Sequence, residues 1–311
     1  MEKGERVIAL GFFDGVHLGH AALLREASRI AGETGVTPAV LSFDTPPGKT
    51  IEGRLVPMIN SPLDRADILR RLFGLEDLIF LHFDDELRHM AWDRFVEWLK
   101  SDFGAVCLVA GWDFRFGYGG YGNAELLREK CGRLGIGCRI IPPVLAEGEP
   151  ISSTRIRALL EEGKCQEANA LLGHRHLLTD TVRHGYRFGR TLGTPTVNMR
   201  FEEGVLVPRR GVYIAEAHLL SSGARYPAVT NIGVRPTVGG EDAVSVESHL
   251  LGFSGNLYGQ RIRVEFYRFL RDEQKFDRIQ DLRDRIRQDA AVTLKFFDKN
   301  PIDPFDYPDW R

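Results

Sequence analysis

The sequence predicts two architectures in one chain: an open, doubly wound α/β domain, then a small antiparallel β-barrel that ends in a helix. Three observations carry this expectation. Short apolar runs alternate with helically spaced ones up to about residue 172; from there to about 269, strand-like runs follow one another with Gly, Pro and Asn between them. A length of 311 residues is long for one domain and comfortable for two. The expected domains are 1–172 and 173–298, with 299–311, rich in Pro and Asp, as an irregular tail.

In chain order, residues 7–10 form a short apolar run, and Leu23, Leu24, Ala27, Ile30 and Ala31 then recur at helical spacing. Residues 38–43 read as a second strand. Ser61-Pro62 opens a helix, with Ser as N-cap and Pro in the first turn, and Leu63, Ala66, Ile68, Leu69 and Leu72 continue it. Residues 78–81 are a third strand, and Trp92, Phe95, Val96 and Leu99 mark the next helix. Residues 105–110 are nearly all apolar, as expected of a parallel strand covered on both faces. A helix from about Asn123 and a strand at 139–141 complete a β-α alternation whose ligand belongs at the carboxyl ends of the strands. Residues 153–172 read as helical. Runs at 179–182, 212–217, 228–232, 244–251 and 262–269 read as barrel strands, and a final helix runs from Phe276 to about Phe297.

Composition narrows the function. A net charge of −2 argues against a surface that coats nucleic acid. No 18-residue apolar span is present and the first apolar run is too short for a signal peptide, so no membrane partner is expected. Cys107, Cys131, Cys138 and Cys165 lack CxxC spacing and read as reduced thiols of a cytoplasmic protein.

Four clusters and one carboxylate carry possible chemistry. The stretch from Gly11 to His20, GFFDGVHLGH, falls where the first strand turns into a helix. A helix N-terminus offers free N–H groups and the positive dipole end to a phosphate, and His17 and His20 can share one face. There they would neutralise charge on a pentacoordinate phosphorus and on leaving pyrophosphate. No covalent nucleophile is needed, because such transfers rest on positioning and electrostatics. A glycine-rich turn with two polar histidines is the plainer alternative. The second cluster, Gly111 to Gly117 (GWDFRFG), closes the fourth strand, where a pocket and a packed loop are equally expected. The third, ISSTRIR at 151–157, opens a helix; Ser152 or Ser153 suits an N-cap, and the hydroxyls with Arg157 also suit phosphate oxygens. The fourth is Gly185 to Asn198, in which Thr196 and Asn198 alternate onto one face of a strand. Neutral oxygens of this kind suit a Mg²⁺ whose remaining ligands are water and phosphate. Alternation over 244–251 puts Glu247 with Ser245, His249 and Leu251, opposite Val244, Val246, Ser248 and Leu250. A solvated Glu and a general base both fit that position.

Taken together, GFFDGVHLGH, GWDFRFG, SSTRIR, GRTLGTPTVN, NIGVRPT and VESHLL, in this order between about residues 6 and 290, resemble the bifunctional prokaryotic riboflavin kinase/FMN adenylyltransferase (FAD synthetase) family. The resemblance implies a Rossmann-like nucleotidyltransferase domain ahead of a riboflavin kinase barrel. It implies ATP as co-substrate, riboflavin, FMN and FAD as substrates or products, and Mg²⁺. By the same likeness Gly11, Phe13, Asp14, Gly15, His17, Gly19, His20, Ser153, Thr154 and Arg157 hold ATP for adenylyl transfer, and Asp113, Phe114 and Phe116 line the flavin pocket. In the kinase, Gly189, Thr191, Gly193, Thr196 and Asn198 would bind ATP, the last two also Mg²⁺, and Glu247 would be the catalytic base. The chain departs from many relatives after the second strand, where Asp44-Thr45-Pro46-Pro47 stands in place of a Pro-His-Pro. Two other readings use the same residues: a kinase with a drifted adenylyltransferase site, and a non-catalytic flavin-binding regulator.

Overall fold

The computed structural model describes residues 4–46, 56–184, 194–236 and 242–300. They form two compact units that divide between Ser153 and Thr154.

The first unit is built on five parallel strands: β1 (Arg6–Leu10), β2 (Thr37–Phe43), β3 (Asp77–Leu81), β4 (Ala105–Gly111) and β5 (Gly137–Ile141). Their order is β3-β2-β1-β4-β5, so the direction of winding reverses between β1 and β4. Helices α1 (Leu18–Thr34), α2 (Pro62–Phe73), α3 (Asp85–His89), α4 (Trp92–Phe103) and α5 (Ala124–Leu134) complete the alternation, followed by a small hairpin of β6 (Leu145–Ala146) and β7 (Glu149–Pro150). Local chemistry sets the helix starts. The Ser61 side chain accepts from Asp64 N–H with Pro62 in the first turn, and Asn123 accepts from the N–H groups of Glu125 and Leu126. Ile8, Leu10, Leu41, Leu108 and Ala110 bury one face of the sheet against Phe95, Leu99 and Leu127. The expected doubly wound sheet is present, and its switch point lies between the two strands that precede the first two clusters.

The second unit holds α6 (Ser153–Glu162, its first residue lying before the division), α7 (Cys165–Leu172), β8 (His176–Thr181), β9 (Val197–Met199), β10 (Gly211–Leu219), β11 (Arg225–Pro236), β12 (Asp242–Leu250), β13 (Arg261–Arg271) and α8 (Ile279–Lys299). The sheet is antiparallel with order β8-β13-β10-β11-β12-β9, and the Arg183 N–H donates to Asn198 O at 2.9 Å, joining its two outer strands into the expected barrel. Tyr213, Ala215, Ala217, Ile232, Val246, Leu250, Val264 and Phe266 fill the interior. α8 lies on the outside, where Ala290 packs against Val212, Val229 and Leu251. Arg271, at the end of β13, grips the buried Asp289 of α8 at 2.7 Å.

The helical stretch over 153–172 is built as two helices, α6 and α7, interrupted at Gly163-Lys164, where Arg209 N–H donates to the Leu160 carbonyl. α7 is bonded to the barrel: Asn169 donates from its amide to Phe266 O at 2.8 Å and accepts from His176 N–H at 2.8 Å.

Burial has a measurable consequence at His176. Its ring is buried against Phe266, neither ring nitrogen has a hydrogen-bond partner, and desolvation pulls its pKa down to about 3. The unfolded chain takes up this proton below about pH 6.5 and the folded chain does not until about pH 3. Stability is therefore expected to fall as the pH drops from 6.5 towards 5, by up to about 1.4 kcal/mol per unit from this group, and to be level with respect to it above 6.5. Denaturant titrations at several pH values, with His176→Phe as the comparison, check this; the variant should lose that part of the slope.

Candidate functional site

The first cluster occupies the carboxyl end of β1. Gly11 N–H continues the sheet by donating to Leu41 O at 3.2 Å, and the chain then enters a tight turn in which Phe13 (φ 54°), Gly15 (φ 78°) and Val16 (φ 44°) are left-handed. For Phe and the β-branched Val this is strained backbone, and it persists only where the surroundings hold it. They do so closely. Asp14 is buried and its Oδ1 accepts from Ile59 N–H at 2.8 Å, while its carbonyl accepts from Ser153 Oγ at 2.9 Å. The Phe12 carbonyl accepts from Ser42 Oγ at 2.8 Å and from the Arg65 guanidinium.

Arg65 is a functional residue that the sequence reading missed. It has 0 % exposure, sits in α2, and also donates from Nη2 to Phe43 O at 2.6 Å, so one side chain joins the carboxyl ends of β1 and β2. Its guanidinium lies 4.5 Å from the Phe12 ring centroid and 5.2 Å from that of Phe80. Burial lowers its pKa to about 10 and the Asp14 and Asp44 carboxylates oppose that fall, so it is a cation at neutral pH. The signal in the sequence was its spacing, since Arg65 stands three and four residues before the core residues Ile68 and Leu69.

The turn delivers the two histidines to the start of α1. His17 caps the helix, its Nδ1 accepting from His20 N–H at 3.3 Å, and that places the proton of the neutral ring on Nε2. The two imidazoles stack with centroids 3.6 Å apart, and the Phe13 ring meets His20 edge-on at 5.2 Å. Gly19 makes the stack possible: a Cβ there would stand 3.0 Å from the His17 ring. Burial, then His17, then Arg65 push the pKa of His20 well below its ordinary value, so before any anion arrives it is a neutral ring beside a helix N-terminus.

The second cluster lies on the other side of the switch, at the end of β4. Asp113 is exposed and Phe114 half-buried. Phe116 belongs to the core: it is 6 % exposed, with Phe95 at 5.6 Å and Phe114 at 5.4 Å. The loop doubles back there, Phe116 and Gly122 exchanging backbone hydrogen bonds at 3.2 and 2.8 Å, and this turns the ring inward. The aromatic surface offered to solvent in this part of the chain belongs to Trp112, 53 % exposed, with Tyr118 and Tyr121 further along. Of the third cluster, Ser153 falls in the first unit and binds the Asp14 carbonyl, while Thr154 and Arg157 lie three apart on the first turns of α6, in the second.

In the second unit, Gly189, Thr191 and Gly193 lie outside the described residues. Thr196, Asn198 and Glu247 are brought together. Asn198 on β9 stands opposite Glu247 on β12, and Thr196 Oγ1 donates to Glu247 Oε2 at 3.5 Å. His249, one outward position along, bonds the Pro195 carbonyl at 2.9 Å and fixes the segment that carries Thr196. The alternation on β12 is as expected, with Val246, Ser248 and Leu250 buried inside the barrel and Glu247 on the outer face. A cavity of about 360 Å³, large enough for a nucleotide base, adjoins Thr196 and is lined also by Val182, Pro195, Leu250, Leu257 and Tyr258. A side-chain amide and a carboxylate on one rung, with a hydroxyl two residues before the amide, are hard oxygen donors, the set that suits Mg²⁺.

Both places offer groups suited to phosphate, one at a strand switch and helix start, the other on a barrel rim beside a base-sized cavity. The class they define is a nucleotide-using transferase with two centres. Comparison with known proteins agrees. The FAD synthetase family model matches residues 1–155 and the riboflavin kinase model residues 172–297. The bifunctional riboflavin kinase/FMN adenylyltransferase of Listeria monocytogenes is 34% identical over 94% of this chain and 93% of its own length. Its counterpart in Bacillus subtilis is 33% identical over 95% and 94%. A solved structure named as a macrolide-efflux protein from Streptococcus pneumoniae superposes with a TM-score of 0.84 at 31% identity, covering 94% of this chain and 95% of that one. Among the described residues no helix is long and apolar enough to cross a membrane. The chain belongs to the bifunctional riboflavin kinase/FMN adenylyltransferase family.

Replacing Arg65 by Met is expected to remove this donor from the Phe43 carbonyl and leave the Phe12 carbonyl with Ser42 Oγ alone, at about 1–3 kcal/mol for a group left unsatisfied. Denaturant unfolding measures that loss. The His20 resonances should also titrate at higher pH in the variant, because a cation that opposes protonation has been removed.

Proposed function

We propose that this chain makes FMN from riboflavin and ATP in its second unit, and FAD from FMN and a second ATP in its first. The observation that carries the reading is the presence of both constellations in one chain: His17 stacked on His20 at 3.6 Å, and Glu247 on a rung with Asn198 and hydrogen-bonded by Thr196.

In the kinase reaction, Glu247 accepts the proton of the riboflavin 5′-hydroxyl as that oxygen attacks the γ-phosphorus of ATP and ADP leaves. Thr196 hydrogen-bonds one Glu247 oxygen and so holds the carboxylate in orientation. The Thr196 hydroxyl and the Asn198 amide oxygen would hold Mg²⁺, which when bound supplies positive charge against the phosphates. The cavity beside Thr196 is assigned to the adenine of ATP, and the glycine-rich segment with Gly189, Thr191 and Gly193 to its phosphates.

In the adenylyl transfer, an FMN phosphate oxygen attacks the α-phosphorus of ATP and pyrophosphate departs. His17, with its proton on Nε2, and His20 donate to the phosphate oxygens, and the N–H groups at the start of α1 add to this. Because His20 is neutral until an anion approaches, the arriving phosphate itself raises its proton affinity. Ser153 anchors the strained turn, and we assign Thr154 and Arg157 to the triphosphate and Asp113 and Phe114 to the flavin. Small-molecule substrates and the lack of a spanning helix among the described residues favour a cytoplasmic location.

Two substitutions separate the sites. His20→Ala is expected to cut FAD formation from FMN by on the order of 10² while FMN formation from riboflavin continues. Glu247→Gln should do the reverse, costing about 10²–10⁴ in FMN formation. Chromatography of products from riboflavin and, separately, from FMN reads both; equal damage to both reactions by either change in folded protein contradicts the assignment.

A further inference from the structure

The cavity beside Thr196 has an aromatic pair in its wall. Tyr258 lines the cavity together with Leu257 and Val182, and the exposed His184 stacks on Tyr258 with ring centroids 3.9 Å apart and planes 31° from parallel. The two residues come from segments joined through the main chain: Val182 N–H donates to Gln260 O at 2.9 Å, and Gly259 N–H to Val182 O at 3.0 Å. Between them Arg183 N–H donates to Asn198 O, so residues 182–184 connect the cavity wall with the strand that carries the Asn198 amide. Tyr258 N–H is in turn held by Asn256 Oδ1 at 3.1 Å. These bonds set where the Tyr258 side chain starts but not the direction of its ring. The stack with His184 restrains that direction. A wall ordered before the ligand arrives spares the ordering cost that would otherwise be subtracted from affinity. His184 has no part in the reaction as described above.

We propose that His184 is a positioning residue for ATP in the kinase reaction: stacked on Tyr258, it holds that ring as a ready wall for the adenine base. The proposal rests on the reading of this cavity as the adenine site. The adenine lies away from the transferred phosphoryl group, so a wall against it binds ATP equally in the ground state and the transition state. Loss of such an interaction weakens ATP binding and leaves the chemical step alone.

The test uses the full chain, with initial rates from riboflavin at varied ATP and varied riboflavin, counting FMN and FAD together. His184 is exposed, and substitutions at such positions change stability little. His184→Ala is expected to raise the KM for ATP about three- to tenfold, the range of an aromatic pair. Both kcat and the KM for riboflavin should stay within about twofold. His184→Phe keeps a flat ring and should bind ATP nearly as the wild type does. FAD formation from FMN, assigned to the other unit, should show an unchanged KM for ATP in both variants. An unchanged KM for ATP in His184→Ala overturns the proposal, and so does a fall in kcat at constant KM or an equal rise in the FMN-to-FAD reaction. A Phe variant as impaired as the Ala variant also overturns it, because the imidazole would then act through its nitrogens and not its face. Tyr258→Leu, assayed alongside, tells the two failures apart. If it raises the KM for ATP while His184→Ala does not, only the role of His184 is lost. If it leaves the KM unchanged, the assignment of the cavity to adenine is wrong, and the His184 proposal falls with it.

Discussion

A guanidinium with no exposed surface holds the first centre together. Parallel strands end in backbone carbonyls that the next loop must satisfy, and at the ends of β1 and β2 the Arg65 side chain does this for Phe12 and Phe43 at once. Once those ends are fixed, the chain can pass through a turn with two non-glycine residues at positive φ and still arrive in one conformation. The turn in turn sets where α1 begins, and α1 sets the stack of His17 on His20. Burial first, then His17 and then this same cation lower the pKa of His20, so Arg65 bears on both the geometry and the charge of the site.

The second centre depends on a different constraint, the two-residue period of a strand. Val246, Ser248 and Leu250 point into a packed barrel, so Glu247 has to face outwards. The pairing of β12 with β9 and β11 then flanks it with Asn198 and Asn231. A slip of one residue in that register would bury the carboxylate. The outer face is kept in place by α8, which is held through Ala290 on Val212 of β10, Val229 of β11 and Leu251 just after β12, and through Asp289 on Arg271. One centre is thus a turn held by a buried charge, and the other a rung held by register.

Much of this was legible in the residues. The apolar runs and helical spacings located the five parallel strands, most clearly the inner β1, β2 and β4, because a strand buried on both faces has little choice but to be apolar. The alternation over 244–251 gave the facing of Glu247, and the strand-to-helix turn gave the place of the cluster that we propose holds phosphate. Other features depended on tertiary neighbours. Phe116 stands in an aromatic and glycine-rich loop that resembles a pocket wall, and only its bridge to Gly122 turns it into the core. The break at Gly163 lies in a stretch that otherwise continues the helical pattern, and the barrel captures the two halves separately. Arg65 resembles a solvated helix arginine until α2 is packed on the sheet ends. Asn231 and Glu273 are 42 residues apart, and no local pattern links them.

The most direct measurement is the product sequence of the wild-type protein. Incubated with riboflavin, ATP and Mg²⁺ and followed by chromatography, it is expected to form FMN first and FAD later, with pyrophosphate released alongside FAD. FMN that accumulates with no FAD would contradict the assignment of the strand-switch site, and riboflavin left unchanged would contradict both.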